Sequence, residues 1–241
     1  MISTAEIKYV KSLSQKKFRD KDGVFVVEGE KLVSEALASG FEVLKLYRRD
    51  EIGEAAMSRI TALNSPSPVL AIVRQPDLPA FEMPSSGLFL ALDGIRDPGN
   101  LGTILRLADW FGISNVFASE DTVEVYNPKV VQSTMGAIFR VRLRYCPLPE
   151  LCSKFTEAGG KVYGTFLDGE NIYGKLLETG QKAPALVITG SEAHGISPSV
   201  AACVSDRLFI PPYPADDPGS ESLNAAVATA ITLAEFRRRA L

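Results

Sequence analysis

The 241-residue sequence contains few side chains that bind metals or form disulfides. It has one histidine, His194, and three cysteines, Cys146, Cys152 and Cys203, and no two cysteines form a C-x-x-C pair. A single histidine excludes a multi-histidine metal centre, and the cysteine spacing favours reduced thiols over a zinc site or a disulfide framework. We therefore expect no bound metal.

Long apolar runs are also lacking. No early segment resembles a signal peptide, and no run approaches the roughly 20 apolar residues that span a bilayer. Hydrophobic residues make up 46% and charged residues 23% of the chain, as in ordinary globular proteins. We expect a cytoplasmic protein without a membrane partner, with one large domain or two of ordinary size.

An overall excess of positive charge is absent, because the net charge is −3, and this counts mildly against nucleic-acid binding. Two local stretches differ. Residues 7–21 hold six basic side chains and one acidic one, and after Leu13 we predict a lysine-rich loop. The segment FRVRLRY places Arg140, Arg142 and Arg144 on one face of a predicted strand. A solvated face explains each stretch alone, but together they suggest phosphate contact.

Predicted strands and helices alternate along the chain, which is typical of an α/β fold. The first series ends in a strand at 69–73, and the stretch QPDLPAFEMPSS that follows has three prolines and no periodicity. We predict a first domain at 1–76, a linker at 77–86 and a second α/β domain at 87–241.

The second domain begins with a predicted strand, a glycine loop and a helix, followed by a second strand (88–117). Asn100 lies in the loop and Arg106 in the first turns of the helix, beyond the carboxyl end of a strand, where open α/β sheets bind ligands. The alternative is that Asn100 caps the helix and Arg106 is a solvated surface residue.

A second strand runs into a glycine loop in PALVITGSEAHGIS, which carries Glu192 and His194. Ile196 stands where a phosphate-binding loop needs lysine, so binding of a nucleoside triphosphate is disfavoured. The spacing Gly99-x-x-Gly102 is not a dinucleotide fingerprint either. The alternative roles are that Glu192 caps the following helix and that His194 faces solvent.

A third strand ends at Ile210-Pro211, and after an acidic stretch Ser222-Leu223-Asn224 opens the last helix. We expect this helix, in which small residues surround a narrow apolar stripe, to be buried in the domain core or in a subunit interface; the stripe consists of Leu223, Val227, Ile231 and Ala234. The free N–H groups at the helix start suit a carboxylate or another polar ligand.

Together the three loops resemble the motifs of the SpoU/TrmH family, the RNA 2′-O-ribose methyltransferases of the SPOUT superfamily. The motifs are Asn100-x-Gly102-x-x-x-Arg106, Gly190-Ser-Glu192-x-x-Gly195, and Ile210-Pro211 followed by Ser222-Leu223-Asn224. The resemblance implies an α/β SPOUT domain with a C-terminal deep trefoil knot. It also implies a preceding small α/β ribosomal-protein-like RNA-binding domain, S-adenosylmethionine as cofactor, RNA as partner and a homodimer.

The resemblance further implies catalytic roles for Asn100, Arg106, Glu192, Ser222 and Asn224, and cofactor contacts from Gly190, Ile210 and Leu223. Family analogy suggests that Arg106 is a base. Because a neutral guanidine is costly to form, we favour instead a phosphate clamp that stabilises the developing alkoxide.

The first domain favours ribosomal RNA as the substrate. Transfer RNA, a non-catalytic RNA-binding or ribosome-assembly protein, and a small-molecule methyltransferase are the alternatives. The segment PYPADDPGSE, which includes Asp216-Asp217, is longer than the corresponding family turn and bears on the geometry of the cofactor loop.

Overall fold

The computed structural model describes residues 2–214 and 221–240, which form two compact units. Unit 1 comprises Met1–Pro79 and Glu124–Arg140, and unit 2 comprises Ala80–Val123 and Val141–Leu241. The acidic pair Asp216-Asp217 of the predicted long turn lies outside the described residues.

Helices and strands alternate in the N-terminal part of unit 1, as the sequence predicts. In chain order they are α1 (Thr4–Ser12), α2 (Lys16–Asp22), β1 (Val24–Glu28), α3 (Glu30–Ala38), β2 (Val43–Arg48), α4 (Arg49–Ile52), α5 (Glu54–Ile60) and β3 (Val69–Arg74).

The same alternation continues from residue 80 to the end of the described chain. The elements are β4 (Gly87–Asp93), α6 (Pro98–Trp110), β5 (Asn115–Ala118), α7 (Pro128–Thr134), a 3-10 turn (Ala137–Phe139), β6 (Arg142–Tyr145), α8 (Leu148–Glu157), β7 (Lys161–Asn171), β8 (Pro184–Gly190), α9 (Pro198–Ala201), β9 (Asp206–Phe209) and α10 (Ala225–Ala240). Helix α7 and the 3-10 turn belong to unit 1.

Unit 1 contains a three-stranded antiparallel sheet in the order β1-β3-β2. Helix α1 begins with the predicted capping box, in which Ser3 and Glu6 satisfy each other's backbone N–H groups. Its buried residues Ile7 and Val10 pack in one apolar cluster with Leu70 of the central strand. Burial of one face therefore holds the helix on the sheet.

The predicted lysine-rich loop after Leu13 is instead largely the short helix α2. Arg19 on this helix is buried, and its Nη1 donates to the carbonyl oxygens of Leu13 (2.8 Å) and Ser14 (2.9 Å). Its Nη2 forms an ion pair with Glu124. A buried guanidinium with these partners is withdrawn from any contact with phosphate.

The segment 124–140 packs inside unit 1 through aromatic side chains. Tyr126 lies 4.7 Å from Phe25 between ring centroids, and Phe139 lies 5.1 Å from Phe41. Arg140 pairs with Glu35 and precedes β6. The prediction that it shares a strand face with Arg142 and Arg144 is therefore wrong.

Unit 2 is built on a six-stranded parallel sheet in the order β6-β5-β4-β8-β7-β9. Strands β5 and β6 extend to one side of β4, whereas β8, β7 and β9 extend to the other. The direction of winding therefore changes between β4 and β8. In open α/β sheets such a switch point, at the carboxyl ends of the strands, is where ligands bind.

Strand β8 is buried along its whole length because elements cover both of its faces. Leu186 and Ile188 pack with Phe155 of α8 in one apolar cluster. Thr189 points to the opposite face, because side chains alternate along a strand, and its Oγ1 lies 3.0 Å from Oγ1 of Thr229 on α10. This buried hydroxyl pair fixes α10 against β8.

Candidate functional site

The loop after β4 places Asn100 in the first turn of α6. Asp97 is the N-cap, and its Oδ1 accepts a hydrogen bond from the Asn100 backbone N–H at 2.8 Å. The alternative prediction that Asn100 caps this helix is therefore wrong. Because Asp97 performs the capping, the side-chain amide of Asn100 is available for other partners.

The loop after β8 is a tight turn that presents Glu192. Two backbone hydrogen bonds join Ser191 and Gly195 across the turn, at 3.2 and 2.9 Å. A Cβ on Gly190 would lie 2.1 Å from the carbonyl carbon of Gly195, so this position admits only glycine. The close approach of the two glycines explains their spacing in the second motif.

Helix α10 begins with Asn224 as its N-cap. The Asn224 Oδ1 accepts hydrogen bonds from the backbone N–H groups of Ala226 (3.0 Å) and Val227 (3.3 Å). The side-chain Nδ2 is then directed away from the helix and donates elsewhere.

The three motif loops meet at Glu192. Its Oε1 accepts hydrogen bonds from Asn100 Nδ2, from Asn224 Nδ2 (3.3 Å) and from the backbone N–H of Ala225 (3.3 Å). Asn224 Nδ2 also donates to Asn100 Oδ1 at 2.9 Å. A carboxylate at the N-terminus of a 16-residue helix is favoured by the helix dipole.

This arrangement answers two predictions about the loops. The start of α10 was predicted to suit a carboxylate, and that carboxylate is the side chain of Glu192, which accepts the backbone N–H of Ala225. The alternative that Glu192 caps the helix following its own loop is wrong, since the helix it caps is α10 and not α9. His194 is exposed, as its alternative role requires.

Arg106 and Ser222 are exposed near these loops. Arg106 lies six positions after Asn100 on α6, and Ser222 lies two positions before Asn224. Neither side chain has a hydrogen-bond or ion-pair partner among the residues that the structure describes. The structure therefore brings Asn100, Glu192 and Asn224 into contact and leaves Arg106 and Ser222 open to solvent.

The three residues expected to contact a cofactor lie at the ends of elements. Gly190 ends β8, Ile210 follows β9, and Leu223 precedes the cap of α10. The backbone N–H groups of Ile210 and Leu223 have no acceptor within residues 2–214 and 221–240. Open backbone groups beside partly exposed apolar side chains fit the purine ring and hydrogen-bonding edge of S-adenosylmethionine.

Sequence patterns alone do not single out Asp93 or the Thr189–Thr229 pair, which the structure places close to the motif loops. Asp93 is the last residue of β4, and its Oδ2 accepts a hydrogen bond from the backbone N–H of Ser197 at 2.7 Å. The available signal was a carboxylate that directly ends the apolar run LFLAL. Nothing in local spacing marks the two threonines as partners.

Among the histidine, cysteine and carboxylate side chains of the described residues, no group of three or more could hold a metal ion. Within the same residues, no helix has the length and apolar character needed to cross a membrane.

Comparison with known proteins matches both parts of the chain. Residues 87–234 match the model of the SpoU rRNA Methylase family, and residues 4–72 match that of the MRM3-like substrate binding domain. The chain is 31% identical to the 23S rRNA (guanosine(2553)-2′-O)-methyltransferase RlmP of Bacillus subtilis over 247 residues, covering 96% of each protein.

Solved structures agree with these matches. A TrmH-family protein from Porphyromonas gingivalis is 39% identical with a TM-score of 0.88, covering 99% of both chains. An AdoMet-bound rRNA methyltransferase from Sinorhizobium meliloti is 30% identical with a TM-score of 0.84, covering 100% of this chain and 98% of that one. From the three converging motifs and these matches we conclude that the chain belongs to the SpoU rRNA methylase family.

Proposed function

We propose that this protein transfers the methyl group of S-adenosylmethionine to the 2′-hydroxyl of a ribose in ribosomal RNA. The observation that carries the proposal is the meeting of the three motif loops at Glu192, in a chain of the SpoU family. Two relatives support it: RlmP is named a 23S rRNA 2′-O-methyltransferase, and the Sinorhizobium meliloti protein binds AdoMet.

The cofactor supplies an electrophilic methyl group together with its leaving group, so the protein needs no covalent nucleophile. Gly190, Ile210 and Leu223 hold it, largely through backbone groups. What remains for the protein is to align the ribose oxygen with the methyl carbon. Alignment of this kind contributes roughly 7–11 kcal/mol in well-oriented intramolecular reactions.

Arg106 is the side chain that we assign to the ribose oxygen and the adjacent phosphate. Its guanidinium is exposed and has no partner among the described residues, so it is available to an incoming anion. A guanidinium stays protonated at ordinary pH, so its charged form clamps the phosphate and stabilises the negative charge that develops as the 2′-hydroxyl loses its proton to solvent.

The other four predicted catalytic residues orient the substrate and the loops. Glu192 Oε1 already accepts three hydrogen bonds, which suits an organising role better than that of a base. Asn100 and Asn224 hold Glu192 in place, and the hydroxyl of Ser222, which has no partner among the described residues, is available to the ribose.

Replacement of Arg106 tests the catalytic part of the proposal. For Arg106→Ala we expect a loss of about 10²–10³ in methylation rate, as is typical when a donor to a developing oxyanion is removed, with unchanged S-adenosylmethionine affinity. Transfer of labelled methyl to RNA and calorimetry measure the two quantities. Full activity would refute the role, and lost affinity with normal activity per bound enzyme would move Arg106 to the cofactor site.

Mapping of 2′-O-methyl positions in total RNA from cells with and without this protein tests the substrate. Loss of one site in ribosomal RNA supports the proposal, whereas loss of a site in transfer RNA favours the alternative substrate. An unchanged map together with no S-adenosylmethionine binding would favour a non-catalytic RNA-binding or ribosome-assembly protein. Methyl transfer to a small molecule only would favour the remaining alternative.

The proposal includes the domain roles and the assembly. Residues 1–76 bind RNA, residues 77–86 act as linker, and residues 87–241 form the methyltransferase domain, in a cytoplasmic homodimer. A trefoil knot in the last domain is supported by the sheet order, in which β8 lies between β4 and β7, and by the return of α10 from the edge strand β9 to α6.

A further inference from the structure

The carboxylate of Asp93 ties together two of the loops that converge on the site. Asp93 ends β4 and is 6% exposed, and its Oδ2 accepts the backbone N–H of Ser197, 104 positions later, at 2.7 Å. The loop after β4 leads from Asp93 to Asn100 in the first turn of α6, and Glu192 precedes Ser197 on the loop after β8. The hydrogen bond therefore joins the two segments that carry Asn100 and Glu192.

Among the described residues, few backbone hydrogen bonds tie the loop after β8 to its neighbours. Asp93 pairs with Gly190 in the parallel register, so the two strands end side by side. The turn from Ser191 to Gly195 is closed on itself by its own two hydrogen bonds. Beyond the turn, the buried side chain of Ile196 and the bond to Asp93 hold the chain where it leaves the site.

We propose that Asp93 is a positioning residue of the methyltransferase site, which acts by holding the loop of Glu192 through the Ser197 N–H. The inference rests on the proposed function. With the bond in place, Glu192 Oε1 stays within reach of Asn100 and Asn224. Without it the chain beyond the turn is held by the buried side chain of Ile196, and Glu192 keeps its place only through its own hydrogen bonds at the site.

Both partners can be removed separately. Asp93→Ala deletes the acceptor, and Asp93→Asn keeps an oxygen that can accept the same N–H. Ser197→Pro deletes the donor without touching Asp93, and its φ of −61° suits proline. Ser197→Ala is the matched control, because it keeps the N–H and removes a hydroxyl that makes no capping hydrogen bond.

Three measurements on the full chain test the role. They are hydrogen exchange of residues 191–200, S-adenosylmethionine affinity by calorimetry, and kcat and KM for methylation of RNA. We expect faster exchange and at least a tenfold loss of cofactor affinity for Asp93→Ala and Ser197→Pro, because hydrogen bonds to charged groups are among the strong ones. Asp93→Asn should recover most of the affinity, and Ser197→Ala should match the unsubstituted protein. The double variant Asp93→Ala/Ser197→Pro should lose little more cofactor affinity than either single variant, because both changes remove the same hydrogen bond.

Glu28→Ala supplies a second control for the loss of a buried carboxylate. Glu28 lies in unit 1 and accepts the backbone N–H of Ala62 at 3.0 Å, so its removal should lower stability without changing cofactor affinity. If Asp93→Ala lowers only stability, as Glu28→Ala does, the positioning role is refuted.

The role is also refuted if hydrogen exchange of residues 191–200 and S-adenosylmethionine affinity are unchanged in Asp93→Ala and Ser197→Pro. It is refuted as well if Asp93→Asn loses cofactor affinity while Ser197→Pro keeps it. An unsubstituted protein that binds no S-adenosylmethionine would refute the proposed function instead. The exchange data would then still decide whether Asp93 holds the loop. If Asp93→Ala does not fold, Ser197→Pro and Asp93→Asn give the same decision.

Discussion

At the scale of single residues, charged side chains near the end of α10 anchor the helix that carries Asn224. Glu235 is 6% exposed and forms ion pairs with Arg238 (2.8 Å) and Arg239 (2.6 Å). Arg239 in turn donates to the carbonyl oxygens of Ile172 (3.0 Å) and Tyr173 (2.8 Å). The Glu235–Arg239 pair thus links α10 to the segment that follows β7.

The hydrogen bond from Arg238, together with that from Arg239, lowers the pKa of Glu235 from its ordinary 4.5 to about 2. A lowered folded-state pKa stabilises the fold above pH 4.5, and this contribution is lost as the pH falls from 4.5 towards 2. We expect Glu235→Gln to lower the free energy of unfolding by about 1 kcal/mol at pH 7, since solvent screens the exposed Arg238, and by less at pH 3. Thermal unfolding at both pH values measures this, with the exposed Glu157→Gln as control. An equal loss at both values would contradict the prediction.

At the scale of elements, helix α1 shows how structure divides a basic stretch. Ile7 and Val10 are buried, so Lys8 and Lys11 project from the exposed face of the helix. Lys16 is neutralised by Asp20, and Arg19 is buried. The phosphate contact suggested by the sequence is therefore a hypothesis about the exposed lysines of α1 and α2, which are Lys8, Lys11, Lys17 and Lys21.

We expect Lys8→Ala and Lys11→Ala each to weaken RNA binding and to reduce the slope of log affinity against log salt by about 0.7–0.9, because each lost phosphate contact releases one fewer counterion. Fluorescence anisotropy with an rRNA fragment at several salt concentrations measures the slope. Lys182→Ala, an exposed lysine of unit 2, is the control. An unchanged slope in both α1 variants would remove this helix from the RNA surface.

At the scale of the whole molecule, the structure decides which face of α10 enters the core. The buried face carries Ala225, Thr229 and Phe236, whereas Val227 of the predicted apolar stripe is exposed. The helix is therefore buried in the domain core, one of the two locations predicted for it, but through a face other than the predicted stripe. Trp110 on α6 is 84% exposed, and Arg237 of α10 donates to the carbonyl oxygen of Phe111, just after that helix, at 2.7 Å.

Exposed apolar side chains on two contacting helices support the proposed homodimer. We expect Trp110→Lys to convert the dimer into monomers without lowering the melting temperature of the isolated subunit, because the tryptophan contributes little to the core. Sedimentation velocity measures the assembly, and Leu37→Lys, an exposed leucine of unit 1, is the control. An unsubstituted protein that sediments as a monomer would contradict the proposal.

Local patterns predicted the parts of this fold that depend on neighbours in sequence. The capping box at Ser3, the glycine loops at strand ends and the helix start at Asn224 all follow from spacing within a few residues. Local patterns did not decide between two residues or two conformations that fit them equally well. Asp97 rather than Asn100 caps α6. Arg19 is buried on a helix rather than solvated in a loop. Each choice depends on partners outside the local window.

The sequence by itself determined the alternating α/β class and the identity of the motif residues, because these are properties of short segments. Only the tertiary structure decided that Glu192 caps α10, that Asp93 holds Ser197, and that segment 124–140 belongs to unit 1. The physical reason is the order of the strands. Placing β8 directly beside β4 brings residues about a hundred positions apart within hydrogen-bonding distance, and no local periodicity encodes that neighbourhood.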